Sequence, residues 1–215
     1  MRILILTSLF ALSFLCRADT QSPLLPQAQL AFERYAPTGH FHSYSTAFGD
    51  INGDGVTDFV TFVGDPYYND NGVEDLKAAV FLGAKDHTFS FYAVSSEILG
   101  HERVFHALEI RQQSIYLHRD GSGGCCSHWV EEFQFKMRDG HLMLIGLETS
   151  DVHPEGITEP DTGVSANLLT GRVIKWSDTG KKRKQKKIVV PDLKPVAFEE
   201  FDYNVFTHRW GSALW

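Results

Sequence analysis

The chain has 215 residues, 43% of them hydrophobic, with 20 basic and 27 acidic residues and a formal charge of −7. That size is enough for a buried core in one domain, and the acid excess argues against a general nucleic-acid binder, which concentrates positive charge. Three cysteines are too few for a disulfide-stapled scaffold.

The first residues read as a targeting segment rather than as part of the fold. Arg2 precedes an almost unbroken apolar run, Ile3 to Leu15, and Cys16-Arg17-Ala18 places small residues where a signal peptidase reads them. Residues 1–18 are therefore expected to be a signal peptide cleaved after Ala18, and residues 19–215 a single β-rich domain in a periplasmic or secreted space. Lipidation at Cys16 is a weaker fit, because Ser13-Phe14-Leu15 lacks the small residue expected just before the cysteine. Nothing later in the sequence resembles a transmembrane helix, so none is expected after signal removal. Of the 20 basic residues, Arg2 and Arg17 leave with the leader, so 18 face 27 acidic ones, a net charge of −9. Cys16 leaves too, and the adjacent pair Cys125-Cys126 remains. Neighbouring Cα atoms are only about 3.8 Å apart, so an ordinary disulfide between them is excluded. A vicinal or intermolecular bond, or thiols on opposite faces of a strand, remain open.

Leu24 to Tyr35 reads as a short amphipathic helix ended by Pro37. After it the apolar period becomes two. Strands are expected at 42–48, 59–63, 78–82, 88–94, 104–110, 114–118, 129–137, 142–148, 172–176 and 188–190, each bounded by turn residues. Trp129, Phe133, Phe135 and Met137 share one strand face and Glu132, Gln134 and Lys136 the other. Asp139-Gly140 then supplies the positive φ of a tight hairpin. Strands this closely spaced predict antiparallel meander sheets and hairpins, a mainly β fold with a minor α component. Residues 195–206 match neither the helical nor the strand period. Residues 151–163 read as a polar loop.

The segment with chemistry is Phe48-Gly49-Asp50-Ile51-Asn52-Gly53-Asp54-Gly55-Val56-Thr57-Asp58. Side-chain oxygens recur at Asp50, Asn52, Asp54 and Asp58, and the Val56 carbonyl fills the remaining place. Calcium takes six to eight oxygen ligands, and carboxylates crowded round a turn repel one another unless a cation neutralises them. Gly53 and Gly55 permit the sharp turn. An EF-hand is excluded, because its twelfth loop position is a bidentate Glu and here it is Thr61, in an alternating, strand-like run. A metal-free Asx turn favours the same residue types and stays open.

This loop resembles the calcium loop of FG-GAP and VCBS-type β repeats. The resemblance covers about a dozen residues and implies Ca2+ at Asp50, Asn52, Asp54, Val56 and Asp58. More loosely, the chain resembles bacterial periplasmic proteins that pair one such loop with a later Asn-x-Leu-Thr-Gly segment, here Asn167-Leu168-Leu169-Thr170-Gly171. Propellers need several repeats and this loop occurs once, so a full propeller is not expected.

Other segments are weaker signals. Cys126 two residues from His128, with Asp120 nearby, suggests a thiol or hydrolytic site, against a plain glycine-rich loop. His40 and His42 lack a third metal partner. Lys181-Lys182-Arg183-Lys184-Gln185-Lys186-Lys187 suits either phosphate-bearing headgroups or a solvated strand edge, where lysine blocks sheet-to-sheet pairing. The reading that follows is an exported calcium-binding envelope protein, not an enzyme. It acts as a binding or interaction module with a protein partner, such as an inhibitor or immunity protein for an exported enzyme. A cell-envelope thiol enzyme using Cys126 and His128 is the alternative.

Overall fold

The computed structural model describes residues 23–64, 76–98, 105–122, 127–154 and 158–214. The expected signal peptide, residues 1–18, and Cys125-Cys126 lie outside them.

The fold is mainly β. A four-stranded antiparallel sheet follows the order β1 (Ala47–Gly49), β2 (Asp58–Val63), β3 (Lys77–Gly83), β4 (Phe89–Val94). A second, eight-stranded sheet is a simple meander. It runs β5 (Phe105–Arg111), β6 (Ser114–Ser122), β7 (His128–Arg138), β8 (His141–Val152), β9 (Asp161–Asn167), β10 (Arg172–Asp178), β11 (Arg183–Val189). The two-residue β12 (Val196–Ala197) pairs with Leu144 and Met143 of β8, beyond the point where β9 stops. Neither sheet closes on itself, in keeping with the expectation that this is not a propeller.

Burial explains the layering. Helix α1 (Leu25–Tyr35) buries Ala28, Ala31 and Phe32 against Phe59, Ala79, Phe81 and Phe89 on one face of the small sheet. Its last residue, Tyr35, stacks on Phe91 with centroids 4.2 Å apart. The other face of the small sheet presents Val60, Phe62, Ala78, Val80 and Ala93 to the inner face of the large sheet, where Ile115, Leu117, Phe133, Phe135, Leu144 and Leu147 meet them. Strand β2 is therefore buried on both faces, which is why Phe59 to Phe62 carries almost no polar side chain.

The large sheet is longer than the small one covers. The chain past β11 returns over the uncovered part as a 3-10 turn, Phe198–Glu200, and helix α2 (Tyr203–Leu214). Phe206, Trp210 and Leu214 recur every four residues and form its buried stripe. Asp202 caps it, its Oδ1 accepting the Val205 N–H at 2.8 Å. Phe201 sits at the junction, 5.2 Å from both Phe133 and Phe135 and 5.8 Å from Phe206. No helix among the described residues is long and apolar enough to cross a membrane.

Strand positions agree with the alternation in most places. The expected strand at 42–48 is instead a 3-10 turn, Ser43–Ser45, followed by the short β1. The polar stretch read as a loop is partly the end of β8 and the start of β9. Replacing Phe201, which is fully buried, by Ala is expected to lower stability by about 3–5 kcal/mol in urea unfolding monitored by circular dichroism.

Candidate functional site: an Asp-rich loop and a sheet–helix cleft

The Asp-rich loop joins β1 to β2, and Gly49 pairs with Asp58 at its base. Ile51, fully buried, anchors it in the main core. Gly53 and Gly55 adopt φ of 83° and 79°, so both positions need glycine. Asp50 accepts the N–H of Gly53 at 2.6 Å on Oδ1 and that of Gly55 at 3.0 Å on Oδ2. Asn52 Oδ1 accepts the Asp54 N–H at 3.0 Å, and Asp54 Oδ1 accepts the Val56 N–H at 2.7 Å.

Asp58 differs from the others in being completely buried. Its Oδ2 accepts the Ile51 N–H and its Oδ1 the Gly83 N–H, both at 2.8 Å, which ties the loop to the end of β3. That junction is tight: a Cβ at Gly83 would stand 2.1 Å from the Thr57 carbonyl oxygen. Burial pushes the Asp58 carboxyl above the ordinary carboxylate range, the two N–H groups oppose that rise, and the charge of Asp54 adds to it. The Val56 N–H and the Asn52 amide hold Asp54 below that range.

The donor set is all oxygen, which suits a hard cation. A carboxylate oxygen that accepts one N–H still has a second lone pair to offer. Among the described residues no three His, Cys, Asp or Glu side chains form a metal-sized group. A calcium ion here therefore needs Asn52 and the Val56 carbonyl as well as the acids, and it competes with the Asn52 amide for Asp54 Oδ2, now bonded at 2.9 Å.

The remaining sequence candidates separate. His128 Nε2 lies 3.5 Å from Asp120 Oδ2 in an exposed pair, while Cys126 is outside the described residues. The rings of His40 and His42 are 6.5 Å apart, and His42 Nδ1 pairs with the Tyr44 hydroxyl at 2.7 Å. Asn167 Oδ1 accepts both the N–H and the hydroxyl of Thr170, so Asn167–Gly171 is the turn between β9 and β10. Of the lysine run, Arg183 to Lys187 lie on β11, the exposed edge of the large sheet, and Lys181 and Lys182 precede it.

A second site was not anticipated. Strand register places His106, Arg119, Glu131, Thr149, Val164 and Lys175 side by side across β5 to β10 on the inner face. Arg119 and Glu131 form an ion pair with side chains only 1% and 8% exposed. Arg119 Nε reaches His106 Nε2 at 3.5 Å. Tyr203, the first residue of α2, lays its ring 3.4 Å from the Arg119 guanidinium carbon and donates its hydroxyl to Glu131 at 3.3 Å. Burial pushes that phenol upward, although the neighbouring guanidinium opposes the shift.

Above this floor, between the sheet and α2, lies a cleft of about 810 Å³. Trp129 forms part of its wall, its indole lying across Gly121, where a Cβ would come within 2.5 Å of the ring. Asp151, also in the wall, keeps a buried Oδ1 that accepts no hydrogen bond among the described residues. The sequence carried a signal for the floor: Glu131 is in phase with Trp129, Phe133 and Phe135, and Arg119 with Ile115 and Leu117. A charge on an apolar strand face requires a buried partner.

No protein-family model, curated protein or solved structure matches the chain. Glu131→Ala is expected to lose about 3–5 kcal/mol by leaving the Arg119 charge uncompensated, while Arg119→Met with Glu131→Leu loses far less. A double-mutant cycle in urea measures both.

Proposed function

We propose that this protein is an exported binding module of the cell envelope, stapled by calcium at Asp50–Asp58, which holds its ligand in the cleft beneath α2. The cleft carries the reading. Pockets that bind small molecules enclose about 300–1,000 Å³ behind mostly apolar walls with a few placed polar groups, and this one matches in size and lining. Its floor carries the buried Arg119–Glu131 ion pair with the Tyr203 hydroxyl on Glu131, a paired arrangement that holds a shape. A protein partner that docks over the cleft, as in an inhibitor or immunity protein, is the form of this function that the sequence suggests.

Calcium has a structural part in this reading. Asp50, Asn52, Asp54 and Asp58, with the Val56 carbonyl, would hold the ion and close the loop on the end of β3. The site lacks the bidentate Glu of an EF-hand and belongs with weak extracellular sites, at about 10⁻⁴–10⁻³ M. Free calcium at a few times the dissociation constant then adds about 1 kcal/mol. The melting temperature is expected to rise between EDTA and millimolar calcium, and Asp54→Ala to abolish the rise; three superimposable melts would remove the ion from this account.

The cleft is tested separately. A small-molecule extract of the host envelope is expected to stabilise the wild type thermally but not Thr149→Trp, which fills the cleft from its floor. An equal response of both proteins overturns the assignment of the site.

The second reading, a thiol enzyme, is supported by the Asp120–His128 contact, which would orient the imidazole. It requires Cys126 to label faster than a model thiol at neutral pH. A labelling rate at or below that of the model thiol dismisses it.

A further inference from the structure

Charge is divided unevenly along this chain. It carries −7 as a whole, yet residues 172–194, which make β10, β11 and the segment after them, hold nine basic residues and two acidic ones. Six of the nine are Lys181, Lys182, Arg183, Lys184, Lys186 and Lys187, and all six are exposed. Ile188 shares the inner face with Val173, so Lys184 and Lys186 project from that side and Arg183 and Lys187 from the other. Lys181 and Lys182 stand in the turn before the strand.

Among the described residues none of the six forms an ion pair. Asp178, opposite Arg183, instead accepts the Gly180 N–H at 2.8 Å. Arg183 lies over Trp176, 4.4 Å from the ring centre, a contact that supplies no opposite charge. Elsewhere on the same sheet Arg111 meets Glu109 and Glu132, and Arg119 meets Glu131. Residues two apart on a strand stand about 6.6 Å apart, inside the Debye length of about 8 Å at physiological salt. The basic run therefore repels itself. Edge protection accounts for part of it, since β11 is the outermost strand and lysine there blocks pairing with another sheet. It does not account for Lys181 and Lys182, which precede the strand. Repulsion left uncompensated within the fold marks a surface that meets anions from outside.

Shape and composition select the kind of anion. The six side chains diverge from a line about 20 Å long, at about 3.3 Å per residue, and none of them lines the cleft. Donors that converge suit a discrete anion, whereas a divergent line suits a plane of them. Five of the six are lysine, a hydrated point charge on a flexible stem, rather than the arginine fork that reads a carboxylate. Lysine is also depleted where proteins bind one another. Residues 181–187 include no apolar side chain to insert between lipid tails. On the sheet, Asp178 and Asp161 lie within two strands of β11, while Glu148 and Glu132 are three and four strands in. Those two glutamates are about 14 and 19 Å away at about 4.8 Å per strand, beyond the screening length.

We infer that the β11 edge and the turn before it dock on an anionic phospholipid bilayer, holding the protein edge-on by charge without insertion. This surface is separate from the cleft beneath α2.

The test uses the chain from Asp19 onward, without the apolar run that would itself partition into lipid. It is expected to sediment with vesicles containing phosphatidylglycerol and not with phosphatidylcholine alone. Raising salt from about 0.1 M to about 1 M, where the Debye length is about 3 Å, releases it. Lys181→Gln, Lys182→Gln and Lys184→Gln together weaken partition about a hundredfold, at about fivefold per charge near an anionic surface. All three are exposed, so an unchanged melting temperature shows that the triple variant is folded. Should it fall, the turn pair Lys181→Gln with Lys182→Gln is read instead, with a loss of about twenty-five-fold. Thr149→Trp, which fills the cleft, binds these vesicles as the wild type does.

Equal sedimentation with neutral and anionic vesicles overturns the inference, as does a folded triple variant that binds like the wild type. Loss of vesicle binding in Thr149→Trp also overturns it, because the lipid is then held in the cleft. Binding to polyglutamate without binding to vesicles assigns the surface to an acidic protein and overturns it too. If the wild type binds no vesicle and the triple variant self-associates, the lysines only protect the sheet edge.

Discussion

The buried contact between Arg119 and Glu131 is the constraint on which the large sheet and α2 both depend. A charge buried without a partner is strongly unfavourable, so the pair holds β6 and β7 in one register. Tyr203 covers the guanidinium with its ring and reaches Glu131 with its hydroxyl, so the first turn of α2 is fixed over that point. The apolar stripe of Phe206, Trp210 and Leu214 then sets the direction of the helix, and the cleft is the space left where the stripe leaves the sheet.

The Asp-rich loop uses the same physics at smaller scale. Asp58 is one residue shared by three elements: it opens β2, closes the loop through Ile51, and receives the N–H of Gly83 from β3. The exposed acids of the loop fold back on its own backbone, whereas Asp58 carries the desolvation. A cation bound at this bend, as proposed, would act on the junction of three strands and so would stiffen the small sheet as well as the loop.

Much of the architecture was legible because alternation is a direct consequence of strand geometry. The helix at 25–35, the hairpin at Asp139-Gly140, where φ is 50° and 80°, and the long strand through Phe133 and Phe135 all follow from local pattern. The end of the chain was not legible, because residues 195–206 mix β12, a 3-10 turn and the start of α2, so no single period fits. The helical stripe becomes plain only when the window is moved on to Trp210 and Leu214. The Asp loop was visible since its ligand types are adjacent in sequence. The cleft was not, because its residues come from β7 to β10 and α2 and only the sheet register brings them together. Its local traces were the charges at Arg119 and Glu131 on otherwise apolar strand faces.

The position of α2 has a consequence for how the chain is made. Synthesis runs from the N-terminus, and the seven-strand meander is complete at Val189 before any residue of the covering segment exists. Until Phe198, Phe201 and Phe206 arrive, the aromatic surface of Phe133 and Phe135 has nothing to lie against on that side. The large sheet without its last segment would therefore expose that aromatic surface, which Phe198, Phe201 and Phe206 cover in the folded chain.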